Sequence, residues 1–80
     1  MRYVKNPVEV DAVQWIGNNN EEIQEFAGEY CDFLNEKFLF IFTPEGSVRT
    51  AVGDYIIKNS NGGFYSCDPN HFKAMYKLVN

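Results

Sequence analysis

Cys67, Asp68 and His71 place a thiol, a carboxylate and an imidazole within five positions, and a second thiol lies upstream at Cys31. These types point to two chemistries. One is zinc, which takes thiolate and imidazole in a tetrahedral set; the other is a Cys–His dyad, in which imidazole activates the thiol. A structural zinc site draws four ligands, usually from two closely spaced pairs, and here only one pair exists. A dyad also needs a group that orients the imidazole. The spacing therefore predicts a buried thiol at Cys67, a surface or capping His71, reduced free cysteines, no metal and no cofactor.

The remaining candidates for reactivity also have a simpler use. Asp54 follows Gly53 in a turn sequence and lacks a second carboxylate beside it, so it is predicted to bond nearby backbone. Asn61-Gly62-Gly63 leads into a run of strand formers, whereas a phosphate-cradling loop leads into a helix N-terminus; a hairpin turn is predicted. No nucleophile, base and orienter converge, so the sequence predicts a protein that is not an enzyme and has no catalytic residues.

Charged residues offer two binding surfaces. Glu21, Glu25 and Glu29 repeat every fourth position, with Glu22 adjacent. On a helix they form an acidic face, which is either simply solvated or docks on a basic partner; Glu22, Glu25 and Glu29 are the candidate contacts. Arg49, Lys58, Lys73 and Lys77 lie in the second half. Together with Tyr55, Phe64 or Tyr65 they could line a pocket, Arg49, Lys58, Tyr55 and Tyr65 foremost, in which an oligomer captures an anionic, nucleotide-like ligand between subunits. A lysine on a strand also guards an exposed edge.

These residues need elements to position them. Pro7–Trp15 reads as a strand with Val8, Val10 and Ala12 on one face, Val13 and Trp15 on the other, and Glu9 and Asp11 in water. Gly17 to Asn20 breaks it, and Asn19 or Asn20 can cap a helix over 20–28. Ile23, Phe26, Ala27 and Tyr30 fall on one stripe of that helix, which Gly28 can end early. Phe38–Phe42 is a short apolar run that suits a central strand. Pro44 and Gly46 turn the chain into a strand at Ser47–Ala51, and Val52-Gly53-Asp54 turns it again. Tyr55–Lys58 and Phe64–Cys67 form a hairpin in which Asn61, Gly62 and Gly63 supply positive φ. Asp68 and Pro69 start a helical turn, and a last strand covers Met75–Val79. The predicted fold is α+β: a small, mainly antiparallel sheet or half-barrel of five to six strands with one main helix packed on it, a single domain over residues 1–80.

A chain of 80 residues has little interior, and it carries one tryptophan, five tyrosines and seven phenylalanines. Such a core cannot comfortably cover them all, which predicts a homo-oligomer with Trp15, Phe38, Phe40, Phe64 and Tyr65 as the pool of contacts. The net charge of −4 disfavours direct nucleic-acid binding. Residues 1–42 hold three basic and eight acidic side chains, and residues 43–80 hold four and three. No apolar run suits a signal or a membrane span, which predicts a cytoplasmic protein with no membrane partner.

Two stretches are similar to a family of small phage and prophage proteins. The opening, NPVEVDAVQWIGNN, resembles the start of that family. VGDYIIKNSNGGFYSCDPNHFKAMY resembles its proline-glycine-aspartate-tyrosine block, followed by G-x-x-Y-x-C-x-P and F-x-x-x-Y. Gly53, Asp54, Tyr55, Gly62 or Gly63, Tyr65, Cys67, Pro69, Phe72 and Tyr76 carry the match, and Val52 stands where the family usually has proline. The resemblance implies a phage accessory protein that binds, and possibly inhibits, a host protein in takeover or anti-defence.

Overall fold

The computed structural model describes residues 2–5, 8–35 and 37–78, with side chains described for 9–35 and 37–77. Its strands are β1 (Arg2–Lys5), β2 (Val8–Gln14), β3 (Cys31–Phe33), β4 (Phe38–Thr43), β5 (Gly46–Ala51), β6 (Tyr55–Lys58), β7 (Phe64–Cys67) and β8 (Lys77–Leu78). Its helices are α1 (Asn20–Ala27) and α2 (Pro69–Met75). All strand pairs are antiparallel. They form two sheets, one ordered β7-β6-β2-β1-β8 and the other β3-β4-β5.

The α+β class and the antiparallel pairing match the expectation from sequence; the single sheet or half-barrel of five to six strands does not. Eight strands divide between two sheets. β1 and β3 were not foreseen, and the last strand is only two residues long. The expected helical turn after Asp68 is a second helix of seven residues.

Two cores explain this layering. Trp15, Ile23, Ala27, Cys31, Leu39, Ile41, Ile56 and Phe64 bury together, joining α1, the inner face of the small sheet and one face of the large sheet. Val10, Ala12, Ile57 and Phe72 bury on the opposite face of the large sheet, beneath α2. β2 therefore needs apolar groups on both faces. Val10 and Ala12 serve one core and Val13 packs on the other, while Glu9 and Asp11 stay exposed. The side chain of Val8 lies outside the described residues.

Turn chemistry holds the corners. Gly46, Gly53 and Gly62 have φ of 122°, 102° and 86°, and among the described residues none other than glycine has positive φ. The β6–β7 turn thus uses Gly62 alone; Asn61 instead accepts a hydrogen bond from Gly63 N through its Oδ1 at 2.9 Å. Asp68 caps α2, its Oδ1 accepting from His71 N at 3.0 Å, with Pro69 in the first turn. Phe72 then stacks between Tyr55 and Tyr76, with ring centroids 3.8 and 4.8 Å away.

Candidate functional site: an acidic helix beside an aromatic groove

The helix α1 is held by a small-side-chain anchor. Of the two asparagines that could cap it, Asn19 takes the N-cap position and Asn20 begins the helix, but the Asn19 side chain makes no cap bond. Its carboxamide instead ties the preceding loop to β2 and to the helix. Oδ1 accepts from Ile16 N at 3.0 Å, and Nδ2 donates to Gln14 O and Glu22 Oε1, each at 2.8 Å. Ile23 and Ala27 point into the core, and Phe26 is half-buried against it. That leaves Glu21, Glu22 and Glu25 on the exposed side. Negative charge in the first turn suits the positive end of the helix dipole.

Gly28, with φ of 55°, ends α1 and opens a short 3-10 turn, Gly28–Tyr30. The every-fourth-residue repeat is therefore interrupted before Glu29, which is exposed on that turn and not on the helix. Tyr30, expected on the buried stripe, is 45% exposed. Its ring stacks on Phe64 at 5.2 Å, and Phe64 meets Phe26 edge-on at 5.7 Å. Tyr30, Phe42, Pro44, Gly62 and Phe64 line a groove of about 300 Å³ between the tips of two hairpins. Of the four acids, Glu29 is next to this groove in sequence, directly before Tyr30, while Glu22 lines a separate cleft with Ile16, Asn19 and Tyr55. From residue 6 to residue 36 the chain has no lysine or arginine, so nothing in that segment offsets the acids.

The four residues considered for anion binding are not gathered into one pocket. Arg49 is on β5 of the small sheet, its guanidinium 4.8 Å from the Phe38 ring centroid. Lys58 is on β6 of the large sheet, 5.8 Å from the Phe64 centroid, and lines a polar cleft with Glu9 and Asp11. Asp11 is its direct cross-strand neighbour. Tyr55 and Tyr65 pack on the second core, on the opposite face of the large sheet from Lys58. Lys73 is on α2 and Lys77 on β8.

Cys67 and His71 do meet one cavity, a groove of about 270 Å³ that they line with Tyr65, Met75 and Tyr76. The Cys67 thiol donates to Asp68 O at 3.5 Å. The His71 imidazole makes no hydrogen bond among the described residues, so the orienting group of a dyad is not in place. Burial, followed by the charge of Cys67, pushes the Tyr76 phenol up. Cys31 is a free thiol in the first core, donating to Gly28 O at 3.3 Å. Burial raises its pKa, and Asp32 raises it further. No group of three or more His, Cys, Asp or Glu that could hold a metal occurs among the described residues. None of the described helices is long and apolar enough to cross a membrane.

Asp54 works as turn chemistry. Its Oδ2 accepts from Ala51 N at 3.0 Å, and its carbonyl accepts from Trp15 N at 2.9 Å. Gly53 N donates to Trp15 O at 2.6 Å, so the Gly53-Asp54 pair fastens the end of β2 to the β5–β6 turn.

Two residues of the expected interface pool are buried, Phe64 meeting the surface only at the groove it lines. Trp15 is 0% exposed, with its indole N–H donating to Lys37 O at 3.2 Å, and Phe64 is buried beneath Tyr30 and Phe26. Phe38, Phe40 and Tyr65 remain half-buried. The aromatic groove was missed from sequence because Tyr30, Phe42 and Phe64 lie on three separate elements. Comparison with protein-family models, with curated proteins and with solved structures finds no match to this chain in any of the three.

Proposed function

We propose that this protein is a non-enzymatic phage or prophage accessory protein that binds, and by binding inhibits, a host protein of the cytoplasm. The carrying observation is that Glu21, Glu22, Glu25 and Glu29 are all exposed and that Glu29 directly precedes Tyr30, which lines the groove with Phe42 and Phe64. An aromatic groove supplies apolar contact, and the acids supply register and speed of encounter. The matching partner surface is basic, with an apolar side chain at its centre. The phage origin rests on the similarity of the first and last stretches to small phage proteins. The anion-binding reading has less support, since Arg49, Lys58, Tyr55 and Tyr65 occupy separate surfaces.

The test is capture from host lysate on immobilised wild-type protein and on the triple variant E22Q/E25Q/E29Q. The substitutions keep size and hydrogen-bonding capacity and remove charge. A partner that binds the wild type should elute as salt rises above physiological strength, where exposed charges are screened beyond about 8 Å. The triple variant should hold it about tenfold more weakly while remaining folded, because exposed charges contribute little to stability. Equal retention by both proteins would remove the acidic face from the reading.

A further inference from the structure

The small sheet has an outer face whose Phe38 and Phe40 stay half-buried, with the Arg49 guanidinium 4.8 Å from the Phe38 ring centroid. In β4, Leu39 and Ile41 are opposite Thr50 and Val48, and both are fully buried toward the first core. Alternation then places Phe38, Phe40 and Phe42 on the outer face. α1 packs with the inner residues, and α2 packs on the far side of the large sheet. Phe42 is 40% exposed, and Leu34, whose N–H bonds to Phe38 O, is 54% exposed.

Charge is arranged across this face in a definite order. Asp32 of β3 and Arg49 of β5 are the two cross-strand neighbours of Phe40. Strand spacing sets them roughly 10 Å apart, acid on one side of the aromatic row and base on the other. Both are exposed, and no side-chain hydrogen bond or ion pair holds the Asp32 carboxylate among the described residues, its backbone pairing with Phe40. An acid–aromatic–base row is complementary to itself when turned over.

We propose that a second copy of this chain packs on this face, related by a two-fold axis that runs along β4. Rotation about that axis exchanges left and right. It lays Phe40 on Phe40 of the partner subunit and each Asp32 on Arg49 of the partner subunit, twice by symmetry. A two-fold axis across the strands would instead set Asp32 on Asp32 and Arg49 on Arg49. The charges therefore select one of the two ways in which the faces can stack. The selected one is the aligned packing of sheets, about 10 Å apart and within about 30° in strand direction. Phe42 is shared with the groove beside Tyr30, whereas Asp32 and Arg49 lie outside that groove, so charge changes at these two residues read this association apart from partner binding.

The experiment is sedimentation of the wild type, D32R, R49D, an equimolar mixture of D32R and R49D, and the double variant D32R/R49D. All are exposed changes, and circular dichroism checks that each is folded. The wild type should sediment as a dimer of the 9.2 kDa chain that dissociates on dilution. Either single variant should dimerise about tenfold or more weakly, since like charges then face each other. The mixture should recover a dimer containing one chain of each kind, and the double variant should recover the homodimer. A wild type that stays monomeric at high micromolar concentration overturns the proposal. Single variants that dimerise as well as the wild type also overturn it, as they would place the contact elsewhere.

Discussion

Thr50 and Ser66 join hydroxyls across the space between the two sheets, Thr50 Oγ1 donating to Ser66 Oγ at 3.0 Å. Thr50 is fully buried, opposite Leu39, in a layer that is otherwise apolar. Ser66 lies on β7, cross-strand from Ile56. The bond thus ties the edge strand of one sheet to an edge strand of the other. A buried hydroxyl left alone costs its full desolvation, about 1–3 kcal/mol, whereas removing both partners can be nearly neutral. Thr50→Val keeps the shape and strands the Ser66 hydroxyl. We expect it to lower unfolding free energy by about 1–2 kcal/mol, and T50V/S66A to recover most of that loss. A double-mutant cycle in urea measures the coupling. Additive effects would mean that the two hydroxyls are satisfied independently.

A second expectation concerns alkaline stability. Burial raises the pKa of the Cys31 thiol and of the Tyr76 phenol, with Asp32 and Cys67 adding to the shifts. Each group is neutral when protonated, and the folded state holds its proton more tightly than the unfolded chain does. The stabilisation is fully present below the unfolded values, about pH 8.5 for the thiol and 10 for the phenol. It is lost as pH rises through the folded values, because the unfolded state then releases protons first. Unfolding free energy should therefore fall from about pH 8.5 upward. Cys31→Ala removes the thiol's part of that slope and should flatten its lower end, even though the variant is less stable at neutral pH. Denaturant melts at several pH values between neutral and pH 11 read this directly. A slope unchanged by the substitution would assign the alkaline loss to other groups.

How much of this was legible in the sequence depends on how local each signal is. Pro44 with Gly46, Gly53 with Asp54, and Asp68 with Pro69 act within a few residues, and each turn or cap falls where those residues put it. β3 is three residues that directly follow a helical stripe, and only its pairing with β4 makes it a strand. The five-residue apolar run of β4 announces a strand but not which of its faces is covered. That was decided by the division into two sheets, a non-local outcome. The same division separates Arg49 from Lys58, which lie nine positions apart in sequence and on different sheets. The glutamate spacing correctly indicated an exposed face for Glu21, Glu22 and Glu25. The positive φ of Gly28 then moved Glu29 off the helix, a break that helical periodicity does not anticipate.

The last expectation concerns Asn19, which sets where the acidic face begins. One carboxamide serves three partners: it accepts from Ile16 N and donates to Gln14 O and to Glu22 Oε1. The first two fix the loop between β2 and α1, and the third restrains one of the candidate contact residues. Asn19→Ala removes all three. The loss should be about 1–2 kcal/mol, as for other side chains that satisfy exposed-end backbone groups. Asn19→Asp separates the roles: its carboxylate still accepts from Ile16 N but has no donor for Gln14 O and repels Glu22. It should therefore behave more like Asn19→Ala than like the wild type. Hydrogen exchange reads the local effect: the Ile16 amide should exchange faster in Asn19→Ala but keep its protection in Asn19→Asp, the Ile23 amide should exchange faster in both, and those of β6 should keep their protection. If the two amides exchange at wild-type rates in Asn19→Ala, the helix start is held by the Ile23 N to Asn19 O backbone bond and by core packing alone.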